Sequence, residues 1–368
     1  MAPVTVDLIA AARPNFMKVA PLYHALVRES WCSVRLVHTG QHYDRNMSDT
    51  FFEDFSLPQP HLHLGVGSGT HAEQTAGVML AYEKVCLESR PDWTVVVGDV
   101  NSTLACSLVC AKLGIPVAHL EAGLRSRDRT MPEEINRIVT DSIANLLWTP
   151  SLDGDENLAA EGVAAERVEF VGNIMIDSFE LLREKIEADG TRASLGLADG
   201  CYGVVTLHRP SNVDDPAKLE AIVDGLCEVA EDVPLVFPVH PRTRTRLSDG
   251  KLYSRLDEHP GIMLIDPLSY IPFMNLVLGA KVVITDSGGI QEETSYLGIP
   301  CLTLRENTER PITITEGTNR LLGPADLVRS VRDLAPQFAA TPPRYWDGRT
   351  ATRVVASLRR RLGAATRG

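Results

Sequence analysis

Thr285-Asp286-Ser287-Gly288-Gly289-Ile290-Gln291-Glu292-Glu293 directly follows the apolar run Lys281-Val282-Val283-Ile284. The run reads as a buried parallel strand, and the Ser-Gly-Gly turn then opens a short helix that stops before Gly298 and Pro300. Two glycines let a ligand approach the backbone closely. The free N–H groups of a helix's first turn, together with its dipole, favour a phosphate or diphosphate. Glu293, one turn further in, could accept both hydroxyls of a ribose lying along the helix, so the stretch describes a nucleotide diphosphate site. An ordinary strand-to-helix turn with a solvated acidic face fits the same residues.

Working outward, strands are expected at 203–207, 235–239, 263–265, 281–284 and 301–304, which makes the second half a parallel sheet. The first half repeats the pattern. Val4 to Ala10 is a strand, a helix is expected from about Phe16 to Arg28, and further strands fall at 34–38, 93–97, 117–120 and 168–171, with a helical stretch from Asn101 to Leu113. The expected fold is α/β: two Rossmann-like, doubly wound domains facing a cleft. They would span residues 1–172 and 173–349, with 189–199 as linker and an amphipathic final helix at about 350–368 packing back on the first domain. In such sheets ligands sit beyond the carboxyl ends of the strands, so the residues just after each strand carry the chemistry.

The 368 residues are 44% hydrophobic and carry a net charge of −12, which suits a two-domain enzyme and excludes a nucleic-acid or anionic-membrane surface. Seven cysteines without a CxxC pair point to reduced thiols in a cytoplasmic protein. Cys106 and Cys110 lack histidine partners and read as core rather than metal ligands. No apolar run reaches membrane-spanning length, and Met1-Ala2-Pro3 runs into a strand without a signal peptide. Gly65-Val66-Gly67-Ser68-Gly69 has Thr70 at the third glycine position of a dinucleotide fingerprint and reads as a loop.

Carboxylates gather at strand ends of the first half, in Gly98-Asp99-Val100-Asn101, His119-Leu120-Glu121-Ala122-Gly123-Leu124-Arg125 and Met131-Pro132-Glu133-Glu134-Ile135-Asn136-Arg137. Asp99 could equally be a helix cap, and Glu133 with Arg137 a plain helical ion pair. Glu121 has no such structural purpose. Clustered acids raise one another's pKa, which provides a proton donor and an acceptor near neutral pH. In the second half Leu207-His208-Arg209-Pro210 and Val239-His240-Pro241-Arg242 each place a histidine and an arginine just after a strand, and Glu309-Arg310-Pro311 adds a cation; both suit an anion.

These motifs resemble those of the non-hydrolysing UDP-N-acetylglucosamine 2-epimerases, and the resemblance covers nearly the whole chain. It runs through Arg13-Pro14, Lys18, Gly98-Asp99, residues 119–125, 132–137, His208-Arg209, 239–241, 286–293 and 308–311. The family implies a glycosyltransferase-B-type fold, a homodimer, a UDP-N-acetylhexosamine substrate, and neither metal nor other cofactor. By resemblance Asp99, Glu121 and Glu133 are the acid/base set, Arg137 orients them, and His208 assists at the diphosphate or sugar. Arg13, Lys18, His240, Phe273, Ser287, Gly288, Gly289, Glu293 and Arg310 would hold UDP, with Phe273 near uracil. The implied reaction is reversible C2 epimerisation through elimination of UDP to a 2-acetamidoglucal and re-addition. A hydrolysing epimerase, a UDP-sugar-dependent glycosyltransferase and a non-catalytic UDP-sugar sensor are the competing readings.

The chain departs from the family pattern at Ala11-Ala12, Asn15 and Ile312, where many members have Gly-Thr, Glu and Glu, changes that bear on substrate preference. Some bacterial members bind a second UDP-GlcNAc as activator. Here Gln41-His42-Tyr43-Asp44 puts an acid where that pocket has a glutamine, and Ser68 falls near its arginine, so no activator is expected.

Overall fold

A computed structural model describes residues 3–11, 13–40, 52–334 and 341–365. The chain divides into two compact units, residues 1–181 with 344–368, and residues 182–343. In the first unit β1 (Val4–Ala10), β2 (Cys32–His38), β3 (Leu62–His63), β4 (Trp93–Val97), β5 (Val117–Leu120), β6 (Leu146–Thr149) and β7 (Val168–Phe170) form a seven-stranded sheet in the order β3-β2-β1-β4-β5-β6-β7. In the second, β8 (Gly203–Thr206), β9 (Leu235–Pro238), β10 (Ile262–Ile265), β11 (Val282–Thr285), β12 (Cys301–Thr303) and β13 (Asn319–Leu321) form a six-stranded sheet in the order β10-β9-β8-β11-β12-β13.

All pairings are parallel. Each sheet winds outward in both directions from its first strand, so the switch points lie between β1 and β4 and between β8 and β11. In open α/β sheets such switch points are where ligands bind, beyond the carboxyl ends of the strands. Helices cover both faces, so the central strands are apolar runs without alternation: β4, β5, β9 and β11 are almost entirely buried.

The helix Arg13–Leu26 carries Pro21 in its interior. Proline has no N–H for the carbonyl four residues back. The Ser178 hydroxyl supplies one instead, donating to the Met17 carbonyl at 2.5 Å. Ser178 lies on the helix Ile174–Ala188, and from the same helix the buried Asp177 carboxylate accepts the N–H groups of Thr350 and Ala351 at 3.0 and 2.8 Å, capping the final helix Thr350–Ala365. These ties explain why the break expected at residue 172 falls instead inside this helix, between 181 and 182. The linker expected at 189–199 is also structured: Thr191–Ser194 is a helical turn, and the Arg192 N–H donates to Asn275 Oδ1 at 3.0 Å within the second unit.

The final helix buries Val354, Val355 and Leu358 against the first unit, and Ser357 accepts the Trp148 indole N–H at 2.9 Å. Gly172 makes the return of this segment feasible. Its φ is +95°, and a Cβ there would meet the Tyr345 carbonyl oxygen at 2.2 Å. Gly172→Ala should therefore cost more than the roughly 1–2 kcal/mol of a left-handed alanine alone, because backbone must also move. Chemical denaturation checks this, with a loss below 1 kcal/mol (roughly the lower bound of that penalty) counting against the packing described.

Candidate active site

In the first unit three strand ends converge. Gly98, after β4, has φ +69°, and a Cβ on it would lie 3.3 Å from Lys18 Nζ, 3.4 Å from Asn15 Nδ2 and 3.5 Å from Glu121 Oε2. Glu121, after β5, is a non-glycine residue at φ +75°. That uncommon conformation is held by its N–H and that of Ala122, which both donate to the Trp148 carbonyl at 3.1 and 3.0 Å. The Glu121 side chain is 6% exposed and paired with Lys18. Asn15 donates to the Val97 carbonyl at 2.9 Å, fixing the start of the first helix over the end of β4.

Asp99 is not a cap. The helix Asn101–Leu113 has Val100 at its N-cap and no side-chain cap bond. The Asp99 carboxylate, 31% exposed, accepts Arg137 Nη1 at 2.7 Å, and Asn136 donates to the Asp99 carbonyl at 2.8 Å. The alternative reading of Glu133 and Arg137 as a plain helical ion pair does not hold. Arg137 turns to Asp99 and to Glu134, 3.0 Å away, because Glu134 is the buried neighbour and is fixed by the Ser126 and Arg127 N–H groups. Burial pushes Glu134 up, but those backbone donors and Arg137 outweigh it and leave its pKa lowered. Glu133 is half-buried with no ion-pair partner among the described residues.

In the second unit Asp286 organises the turn after β11. It is fully buried and accepts the N–H groups of His208 and Arg209 at 3.0 and 2.9 Å and the Asn212 amide at 3.2 Å, with His208 Nδ1 3.0 Å from its other oxygen. Burial raises its pKa, but the His208 ring and the backbone donors win, so the carboxyl lies below its ordinary range. His240 caps the helix Pro241–Asp249 through Nδ1, which accepts the Arg242 N–H at 3.2 Å, so its hydrogen sits on Nε2. Burial and the neighbouring His208, ring centroids 5.7 Å apart, lower its pKa and keep it neutral.

The helix Gly288–Leu297 starts at Ser287 without a side-chain cap. A Cβ on Gly289 would find nothing within 4 Å, whereas one on Gly288 would meet Glu309 Oε1 at 2.8 Å and Arg310 Nη1 at 3.0 Å. Arg310 is engaged by Glu309 at 2.6 Å and Glu292 at 2.9 Å, and Arg305 by Glu309 at 2.9 Å. Burial of Glu309 is outweighed by Arg310 and Arg305, which hold its pKa far below the ordinary range. Arg209, whose Nε donates to the Asp286 carbonyl at 2.9 Å, adds a third guanidinium.

Glu293, the acid expected to accept the ribose hydroxyls, lies buried within the second unit. It is 2% exposed, Tyr270 donates to its Oε1 at 2.7 Å, and burial pushes its pKa up to about 8 despite that bond. Without ligand it is therefore largely a neutral acid at pH 7. Phe273, one turn after Tyr270 on the helix Tyr270–Leu278, is half-buried.

Sequence reasoning gave no role to Asp286, Glu134, Tyr270 or the pair His119 and Asp141; only the polar type of Asp286 at a strand end signalled it. The Arg13 side chain and residues 41–44 lie outside the described residues. Among the described residues no three His, Cys, Asp or Glu side chains gather as metal ligands, and no helix is long and apolar enough to cross a membrane.

Residues 24–359 match the family model described as UDP-N-acetylglucosamine 2-epimerase. The UDP-N-acetylglucosamine 2-epimerase of Methanocaldococcus jannaschii is 40% identical, over 96% of this chain and 98% of its own. The UDP-2,3-diacetamido-2,3-dideoxy-D-glucuronate 2-epimerase of Pseudomonas aeruginosa is 38% identical, over 95% of this chain and 98% of its own. The solved M. jannaschii enzyme in complex with UDP-GlcNAc and UDP superposes with a TM-score of 0.87 at 40% identity, covering 96% of this chain and 99% of that one. The Neisseria meningitidis enzyme bound to UDP-GlcNAc gives 0.88 at 28% identity, covering 97% and 100%. With the family model matching most of its length and a relative 40% identical over 96% of it, the chain belongs to the UDP-N-acetylglucosamine 2-epimerase family.

Proposed function

We propose that the protein interconverts UDP-N-acetylglucosamine and UDP-N-acetylmannosamine without hydrolysis, by elimination and re-addition of UDP. The observation that carries the reading is Glu121: a buried, lysine-paired carboxylate on a left-handed backbone at the end of a parallel strand, against Gly98, the residue before Asp99. Such a placement costs stability and has no structural purpose of its own.

The C2 hydrogen is not next to a carbonyl, so its removal must be coupled to loss of UDP. A carboxylate takes the C2 proton, the C–H electron pair becomes the C1–C2 double bond of the 2-acetamidoglucal, and the C1–O bond breaks with its pair leaving on UDP. Re-addition reverses this, with an acid delivering a proton to the other face of C2. Asp99, Glu121 and Glu133 supply these proton transfers, each worth about 100- to 10,000-fold, and Arg137 orients Asp99. Arg13, Lys18, His208, His240 and Arg310, with the first-turn N–H groups after Ser287 at Gly288 and Gly289, balance the charge on the departing diphosphate. Glu293 binds the ribose and Phe273 the uracil. The 38% identity to the Pseudomonas enzyme favours one second reading, a UDP-2,3-diacetamido-uronate as substrate of the same reaction. Assaying both sugars decides between them, and the higher kcat/KM names the substrate.

Glu121→Gln keeps shape but removes proton transfer, so kcat should fall about 100- to 10,000-fold while UDP affinity changes little. Glu293→Ala should instead weaken UDP binding, by roughly 1–3 kcal/mol. Calorimetry and turnover showing the reverse ordering would overturn this division of roles.

Glu293 also predicts a pH signature of the ligand-free protein. Its folded pKa, about 8, is above the ordinary value of 4.5, so the folded state binds the extra proton between these values. Its contribution to stability is then present at low pH and lost as pH rises through about 8. Relative to wild type, Glu293→Gln should gain stability as pH rises from 5 to 9; a difference between the two that does not change with pH would contradict the raised pKa.

A further inference from the structure

We infer that His119 is a positioning residue that fixes Glu121 and the Asp99 strand end as one unit, through a relay from Asp141 to the Gly98 carbonyl. This rests on the reading of Glu121 and Asp99 given above. His119 lies on β5, fully buried, with Nδ1 2.6 Å from Asp141 Oδ1 and Nε2 2.8 Å from the Gly98 carbonyl oxygen. A carbonyl only accepts, so Nε2 carries a hydrogen. At 2.6 Å two lone pairs cannot face each other, so a hydrogen also lies between Nδ1 and Asp141. The other Asp141 oxygen accepts the Gly123 N–H at 3.1 Å and lies 2.8 Å from Arg125 Nη1. These donors hold negative charge on the carboxylate, which leaves that hydrogen on the ring. Burial pushes Asp141 up, but His119 and Arg125 outweigh it and its pKa is lowered.

The geometry grips both reacting carboxylates from behind. The two Asp141 oxygens hold residue 119 by its ring and residue 123 by its backbone, bracketing Glu121 from two positions on either side. Gly98 is gripped at both ends by β5: its N–H donates to the Leu120 carbonyl at 3.0 Å, and its carbonyl accepts from the His119 ring. Asp99 follows directly, and the Gly98 Cα faces the Glu121 carboxylate. An apolar residue at 119 would fill the space but would leave the Gly98 carbonyl and Asp141 without their shared donor. Placement errors of about 1 Å can cost about 100-fold in rate, which is the scale this relay controls.

The test compares His119→Gln, Asp141→Asn and Glu121→Gln at a temperature well below each melting point. Both relay variants should lower kcat about 100-fold with UDP affinity and KM for UDP-GlcNAc within threefold of wild type. A purely structural role would lower the melting point and leave kcat per folded molecule unchanged. Full turnover in the two folded relay variants, with Glu121→Gln inactive, overturns the relay and leaves the catalytic reading intact. Wild-type turnover in Glu121→Gln overturns the reading and the relay together. Should the variants fail to fold, the wild-type protein decides: after 15N-histidine labelling, one histidine should show slowly exchanging hydrogens on both ring nitrogens, and the lack of any such histidine refutes the relay.

Discussion

Taking water from an ammonium and a carboxylate together costs several kcal/mol per ion, and the mutual attraction of Lys18 and Glu121 recovers this only if both are held at contact. The first unit's site follows from that requirement. Lys18 reaches Glu121 because Asn15 ties the start of its helix to the end of β4, and because Gly98 has no side chain to intervene. Glu121 points back because its backbone is left-handed, a conformation held by the shared Trp148 carbonyl and relieved two residues later by Gly123.

The second unit gathers positive charge at its strand ends. Its arginines are restrained by carboxylates and a backbone carbonyl: Arg310 by Glu309 and Glu292, Arg305 by Glu309, and Arg209 by the Asp286 carbonyl. Preorganised cations need no reorganisation when charge arrives, which is how fixed dipoles and ions lower a barrier. Asp286 fixes His208 in the same way from beneath. Glu293 is the exception, a buried acid whose raised pKa keeps it largely neutral.

Much of this was legible in the sequence. Runs such as Trp93-Thr94-Val95-Val96-Val97 need no context to be read as central strands, and glycines at 98, 123 and 288 mark backbone that side chains would crowd. The strands that escaped reading, β3, β6 and β13, are a two-residue edge, a run following a helix without Gly or Pro, and the polar edge Asn319-Arg320-Leu321. Partnership was harder. Glu133 and Glu134 are the same residue type and adjacent, and only the fold shows that Glu134 is the buried partner of Arg137. His119 sits inside an apolar strand and Asp141 on a helix 22 positions later, a separation that no local pattern bridges.

The central claim is that a protein acid or base removes and returns the C2 hydrogen while UDP departs and rebinds. Proton NMR of UDP-GlcNAc with the protein alone in heavy water tests it most directly. The account predicts UDP-ManNAc as the product, with deuterium entering C2 as conversion proceeds. UDP-ManNAc that fully retains protium at C2, or free N-acetylmannosamine accumulating with UDP in place of the UDP-sugar, would contradict it.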